Sequence, residues 1–243
     1  MMIGDNMNNI DISYIDNGVE SDQCILVIHG WGNNKESMLP LSNSFDNSKV
    51  VTIDLPGFGS SKLNDNLTVY DYAATINKFV LNKKYKNITI IGHSFGGKVA
   101  MVYASKYNVN KLVVMGSPYK KTNISVLKKV FYSMAKKVKI KCVKDIYIKL
   151  FGSDDYKKSD PKLREVLKST VSTDISEDIK KIKCPTLLIW GELDDAVNIS
   201  DAYEISNMID DSAVIKIEGA SHYAYLEQTQ YIYNIIKSFI KDR

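Results

Sequence analysis

Apolar and polar positions along this chain repeat with two periods, and each change of period marks an element. Residues Ile10 to Ile15 alternate, with Ile10, Ile12 and Tyr14 on one face, which predicts a half-buried strand before the turn signal Asp16-Asn17-Gly18. Cys24 to Ile28 is an unbroken apolar run of strand length, the pattern of a strand covered on both faces. Helical spacing follows over about Lys35 to Phe45, then a strand over Lys49 to Ile53. Thr68 stands where it can cap a helix that Tyr72, Ala73, Ile76, Phe79 and Val80 carry to Leu81. Next come a strand over Ile88 to Ile91, a helix from about Lys98 through Val99, Ala100, Val102, Tyr103 and Ala104, and a strand over Lys111 to Met115.

The pattern changes after Gly116-Ser117-Pro118. From Ile124 to Phe151 apolar residues recur at helical spacing with lysines between them, which predicts amphipathic helices, and Pro161 opens another helix reaching Ser169. Strand signal returns only at Thr186 to Trp190, followed by a helix near Ser200 to Met208, a strand over Ala213 to Ile217 and a helix over Glu227 to Ile240. Strands alternating with helices predict an α/β fold, a mainly parallel sheet with helices on both faces. The strandless stretch reads as a helical insertion over that sheet.

Composition narrows the class. At 243 residues and 44% apolar the chain has enough material for one large domain. No apolar run approaches the roughly 20 residues of a membrane-spanning helix, and the first residues lack a signal-peptide pattern, so a soluble cytoplasmic protein without a membrane partner is expected. Three scattered cysteines, Cys24, Cys142 and Cys184, form no metal-binding or disulfide pattern, and no metal or cofactor is expected. The net charge of +4 is unevenly spread. Residues 119–183 hold 18 Lys+Arg and 8 Asp+Glu, and the rest of the chain holds 14 and 20. The plain reading is a solvated helical face; the sharper one is a surface that attracts an acidic partner or an anionic substrate. Nothing in the pattern calls for nucleic acid.

The chemistry concentrates at strand ends. Gly92-His93-Ser94-Phe95-Gly96-Gly97 lies between a strand and a helix, the setting in which a Gly-x-Ser-x-Gly turn holds a serine on a sharp bend with backbone N–H groups beside it. Gly92 to Lys98 also spells the opening of a phosphate-binding loop, but the next residue is Val99, which cannot ligate magnesium as Ser or Thr would. His29-Gly30-Trp31-Gly32 follows an early strand, where the N–H of Trp31 is a candidate oxyanion donor beside that of Phe95. Asp54 ends another strand and reads as structural, accepting loop N–H groups. Asp194 or the adjacent Asp195 follows the strand ending at Trp190, and His222 follows the last strand. Serine, acid and histidine thus fall in that order at carboxyl ends of strands, where open α/β sheets carry their sites. Ser94 would be the nucleophile, His222 its base, and the acid the group that orients the imidazole. His29 and His93 read as structural.

With these pieces in place the chain resembles the α/β-hydrolase superfamily nearly end to end. The resemblance rests on His29-Gly30-Trp31-Gly32, Asp54-Leu55-Pro56-Gly57-Phe58-Gly59, the Ser94 turn, Gly191-Glu192-Leu193-Asp194 and Gly219-Ala220-Ser221-His222. It implies that Asp194 rather than Asp195 is the acid, although Asn198 stands where relatives often carry proline. It also implies that 1–118 and 184–243 form the core and 119–183 a helical cap. His-Gly-Trp-Gly followed by Asn33 looks like carboxylesterases, including those acting on esters of carrier proteins, so a small-molecule ester is the expected substrate and an acidic carrier protein a possible partner of the basic cap. Carbon–carbon hydrolases of ring-cleavage products and cofactor-free haloperoxidases share similar motifs, and a non-catalytic receptor can be built on the same fold. Epoxide hydrolases and haloalkane dehalogenases, which place a carboxylate where Ser94 stands, are disfavoured.

Overall fold

In the computed structural model, residues 12–45, 47–63, 66–121 and 161–241 are described. Their centre is a seven-stranded sheet of β1 (Tyr14–Asp16), β2 (Cys24–Ile28), β3 (Lys49–Ile53), β4 (Ile88–His93), β5 (Lys111–Met115), β6 (Thr186–Gly191) and β7 (Ser212–Ile217). The order across the sheet is β1-β3-β2-β4-β5-β6-β7. Only β1 runs antiparallel, pairing Ile15 with Thr52; the other pairs are parallel, with Ile28 beside both Ile53 and Gly92, and Ile90 beside Leu112. The strands in the middle carry no polar face because helices cover both sides of the sheet.

Two apolar layers result from the period of the strands. Leu26, Ile28, Ile90, Val114, Leu188 and Trp190 pack with α2 (Val69–Lys83) and α3 (Phe95–Lys106) on one face. Ile25, Val27, Ile91, Val113, Leu187 and Ile189 face Leu41 and the last helix through Ile232 and Ile236. Neighbouring residues of one strand thus enter opposite layers. The α2 start is fixed by a capping box in which the Thr68 hydroxyl accepts from the Asp71 N–H and the Asp71 carboxylate accepts from the Thr68 N–H.

Several boundaries differ from expectation for local reasons. The first strand begins only at Tyr14, with Ile12 buried ahead of it. The helix expected over Lys35 to Phe45 is a 3-10 turn, Lys35–Met38, followed by the short α1, Leu39–Ser42; Pro40 suits a first turn because its missing N–H would have no helical partner there. The helix after the serine starts at Phe95, three residues early. Its opening glycines supply no side-chain period, and Phe95 through Ala104 is buried all round, so no amphipathic stripe marks where it begins.

Beyond β5 the predicted helices between 124 and 151, and most of the segment 119–183 expected to form a cap, lie outside the described residues. The stretch returning to the sheet contains α4 (Pro161–Ser172) and α5 (Ser176–Ile179). Ile175, Ile179 and Ile182 join the core layer of α3, and the Ile175 N–H donates to the Tyr119 carbonyl at 3.0 Å, bracing the end of this stretch against its beginning. After β6, α6 (Ile199–Ser206), the short α7 (Ala224–Glu227) and α8 (Thr229–Lys241) complete the fold. Among the described residues, no helix is long and apolar enough to cross a membrane.

Candidate active site

The turn from β4 into α3 is strained at one residue. Ser94 has φ 53° and ψ −117°, a left-handed conformation that an L residue adopts at a cost of about 1–3 kcal/mol. The surroundings hold it there. Its N–H donates to the Met115 carbonyl at 2.8 Å, and its carbonyl accepts the N–H groups of Gly97 and Lys98 at 3.1 Å each. Strand and helix approach so closely that a Cβ on Gly92 would sit 2.6 Å from the Gly96 carbonyl oxygen, and one on Gly96 would sit 2.6 Å from that of Ile28. Side chains at either position would force the turn open. Ser94 is 9% exposed at the carboxyl edge of the sheet.

The loop after β2 lies directly against this turn: a Cβ on Gly30 would be 3.2 Å from the Ser94 Cβ and 3.0 Å from His93 Nδ1. His29, beneath it, accepts the Leu55 N–H at Nε2 (3.1 Å) and therefore donates from Nδ1 to the Gly30 carbonyl (2.7 Å). Burial pushes its pKa down to about 4, keeping the ring neutral. The Trp31 ring packs on Phe58 and Phe95 with centroids 4.9 and 5.2 Å apart, tying the loop to the first residue of α3. Among the described residues, no carbonyl accepts from the N–H of Trp31 or of Phe95.

Asp54 sits nearby but its oxygens are occupied. It accepts from the Lys35 N–H and Nζ (both 2.7 Å) and from the Ser60 N–H (2.8 Å). Burial alone would raise its pKa; the hydrogen bonds from Lys35 and Ser60 outweigh that and hold the carboxyl below the ordinary range.

Asp194 and His222 meet at the ends of β6 and β7. Asp194 Oδ1 accepts the N–H groups of Ala196 (2.8 Å) and Val197 (2.9 Å), leaving Oδ2 to accept from His222 Nδ1 at 2.8 Å. A carboxylate oxygen can only accept, so Nδ1 carries a proton, and in the neutral ring the lone pair then lies on Nε2, the tautomer a general base needs. Both side chains are buried, and a Cβ on Gly116, one residue past the Met115 that holds Ser94, would lie 3.1 Å from Asp194 Oδ2 and 3.2 Å from His222 Nδ1. The exposed Asp195 does not share this position. Asn198, standing where proline is common in relatives, accepts the Ser200 N–H and caps α6.

Two buried groups near the turn carry contacts that the sequence alone did not reveal. His93 donates from Nε2 to the His222 carbonyl at 3.0 Å. Lys98, 1% exposed, donates from Nζ to the carbonyls of Thr170 (2.9 Å) and Thr173 (2.6 Å), and burial lowers its pKa to about 8. A lysine inside the otherwise apolar start of α3 was the available signal for the second. Nothing in the spacing announces the first. Among the described residues, no group of three or more His, Cys, Asp or Glu side chains is arranged to hold a metal ion.

Comparison with known proteins follows the same lines. Residues 23–138 match the sequence model of the family described as alpha/beta hydrolase fold. The chain has the α/β-hydrolase fold. A bromoperoxidase from Bacillus anthracis shares this fold with a TM-score of 0.79 over 98% of both chains, at 21% identity. Lipase 1 of Psychrobacter immobilis is 25% identical over 88% of this chain and 75% of its own length. The pimeloyl-[acyl-carrier protein] methyl ester esterase of Wigglesworthia glossinidia brevipalpis is 29% identical over 89% and 93% respectively.

Proposed function

We propose that this α/β-hydrolase is a serine esterase acting on small carboxylic esters through an acyl-enzyme. The reading rests above all on one arrangement: a buried Asp194–His222 pair at 2.8 Å packed on Gly116, one residue past the Met115 carbonyl that holds Ser94 at φ 53°. In the proposed cycle Ser94 Oγ attacks the ester carbonyl carbon while its proton passes to His222 Nε2. The carbonyl oxygen becomes an anion facing the N–H groups of Trp31 and Phe95, an interaction typically worth about 3–4 kcal/mol per donor. Collapse breaks the bond to the alcohol, which leaves with the proton from His222. Water then repeats the sequence on the acyl-enzyme, giving the acid and restoring Ser94. Asp194 supports the positive imidazole without taking its proton.

Lipase- and esterase-named relatives support ester chemistry over carbon–carbon or peroxide chemistry. We take residues 119–183 as the cap that selects the acyl group, and their excess of ten positive charges favours an anionic ester or one borne by an acidic carrier protein. The test is a series of p-nitrophenyl and methyl esters of increasing acyl length, with a ring-cleavage dienone as competitor, assayed on wild type, Ser94→Ala and His222→Ala. Ester turnover that disappears in both variants is expected. Turnover persisting in Ser94→Ala, or preference for the dienone, would contradict the reading.

A further inference from the structure

His93 directly precedes the serine, and its surroundings give it a definite chemical state. It is the last residue of β4 and is 1% exposed. Its Nε2 lies 3.0 Å from the His222 carbonyl oxygen. A carbonyl can only accept, so Nε2 carries the proton, and Nδ1 is left as a buried lone pair with no hydrogen-bond partner among the described residues. That orphaned nitrogen faces Gly30, where a Cβ would be 3.0 Å away. The ring is packed against those of His222, Tyr223 and Tyr225, with centroids 4.7, 5.4 and 4.8 Å away. One side chain therefore touches the serine turn by covalent continuity, the Gly30 loop by its Nδ1 edge and the His222 main chain by a hydrogen bond.

We propose that His93 is a positioning residue: a permanently neutral imidazole whose Nε2–H sets the main chain of His222 at a fixed distance from Ser94. The inference rests on the serine-esterase reading above and adds to it how the base is held. Asp194 fixes the orientation of the His222 ring from one end, and His93 fixes the backbone from which that ring hangs. A displacement of about 1 Å at a reacting group can reduce turnover roughly 100-fold, so a bond of this kind bears on rate even though it touches no substrate.

Neutrality is part of the device. Protonating His93 would create a buried Nδ1–H with nothing to accept it, and would set a cation beside His222 as that ring takes up its own proton during reaction. Burial, and next the neighbouring His222, push the His93 pKa well below the ordinary value. The titratable groups facing it are His222, His29, Tyr223 and Tyr225, and His29 is itself held neutral by burial.

The chain has three histidines, so ring nitrogen resonances of a histidine-labelled wild-type protein can be assigned one by one. Between about pH 5 and 8 His93 is expected to remain neutral in the Nε2–H form and His29 in the Nδ1–H form. A His93 that titrates in that range, or carries its proton on Nδ1, overturns the proposal without any variant having to fold. Two substitutions then probe the bond. His93→Phe keeps a ring and removes the N–H, and is expected to lower kcat on a p-nitrophenyl ester roughly 10- to 100-fold with KM changed less than about twofold. His93→Gln, which keeps an N–H donor at similar reach, is expected to recover most of that loss. A folded His93→Phe with wild-type kcat, or a Gln variant no better than Phe, contradicts the positioning role. Failure of the esterase reading looks different: Ser94→Ala would then hydrolyse the ester as fast as wild type whatever His93 does.

Discussion

Among the described residues, two buried carboxylates stand at carboxyl ends of strands, and their partners separate structure from chemistry. Asp54, after β3, binds two backbone N–H groups and the Lys35 ammonium. Asp194, after β6, also binds two backbone N–H groups, but its remaining oxygen meets an imidazole. A lysine beside a carboxylate stays charged; Lys35 loses by burial and gains more from its bonds to Asp54 and Glu36, so its pKa is raised. The Asp54 pair therefore has no proton to exchange near neutrality and serves to lock the 54–61 loop. An imidazole in the same setting can gain and lose a proton at its far nitrogen while the near one stays bonded. Lys98 completes the contrast: buried like Lys35 but facing carbonyls, it has its pKa lowered, not raised.

The largest effect expected from breaking this contrast is at Asp194. Asp194→Asn preserves an acceptor for the 196–197 backbone but offers an N–H toward His222 Nδ1, favouring the wrong tautomer, and kcat should fall on the order of 10³–10⁴-fold. Asp195→Asn, at an exposed neighbour, serves as the control and should change kcat less than about twofold. At Asp54 the effect should appear in stability instead. Asp54→Ala removes the buried partner of Lys35, leaving it only the exposed Glu36, together with the acceptor of two loop N–H groups, and should cost about 3–5 kcal/mol in urea unfolding, while the folded fraction still reacts at Ser94. Because the folded Asp54 pKa lies below its ordinary 3.8, its contribution is complete above that pH and is lost as pH falls through the folded value, so the gap to wild type should narrow in acid. The smallest effect is at Lys98. With a folded pKa of about 8 against an ordinary 10.5, the unfolded chain binds the extra proton between those values, so the stability of wild type relative to Lys98→Met should rise with pH across that window.

Strands covered on both faces were legible almost to the residue: Cys24–Ile28, Lys49–Ile53 and Lys111–Met115 appear where the apolar runs place them. Such runs have few alternatives, because turn residues bound them on both sides. The start of α3 was not legible, since Gly96 and Gly97 carry no pattern and its first turns are buried on every side. At the site, order along the chain pointed to Ser94 and His222, and the structure brings Asp194, rather than Asp195, to His222. What sequence could not supply was contact between distant segments. The His93 bond spans 129 positions and the Lys98 bonds 72 and 75, and both depend on the sheet bringing those segments together.

The central claim is that Ser94 is an activated nucleophile. Its most direct test is treatment of the purified wild-type protein with a fluorophosphonate probe, with the adduct mapped by mass spectrometry. The account predicts covalent labelling at Ser94, strongly slowed in Asp194→Asn. Folded protein left unlabelled, or labelled at another residue, would contradict it.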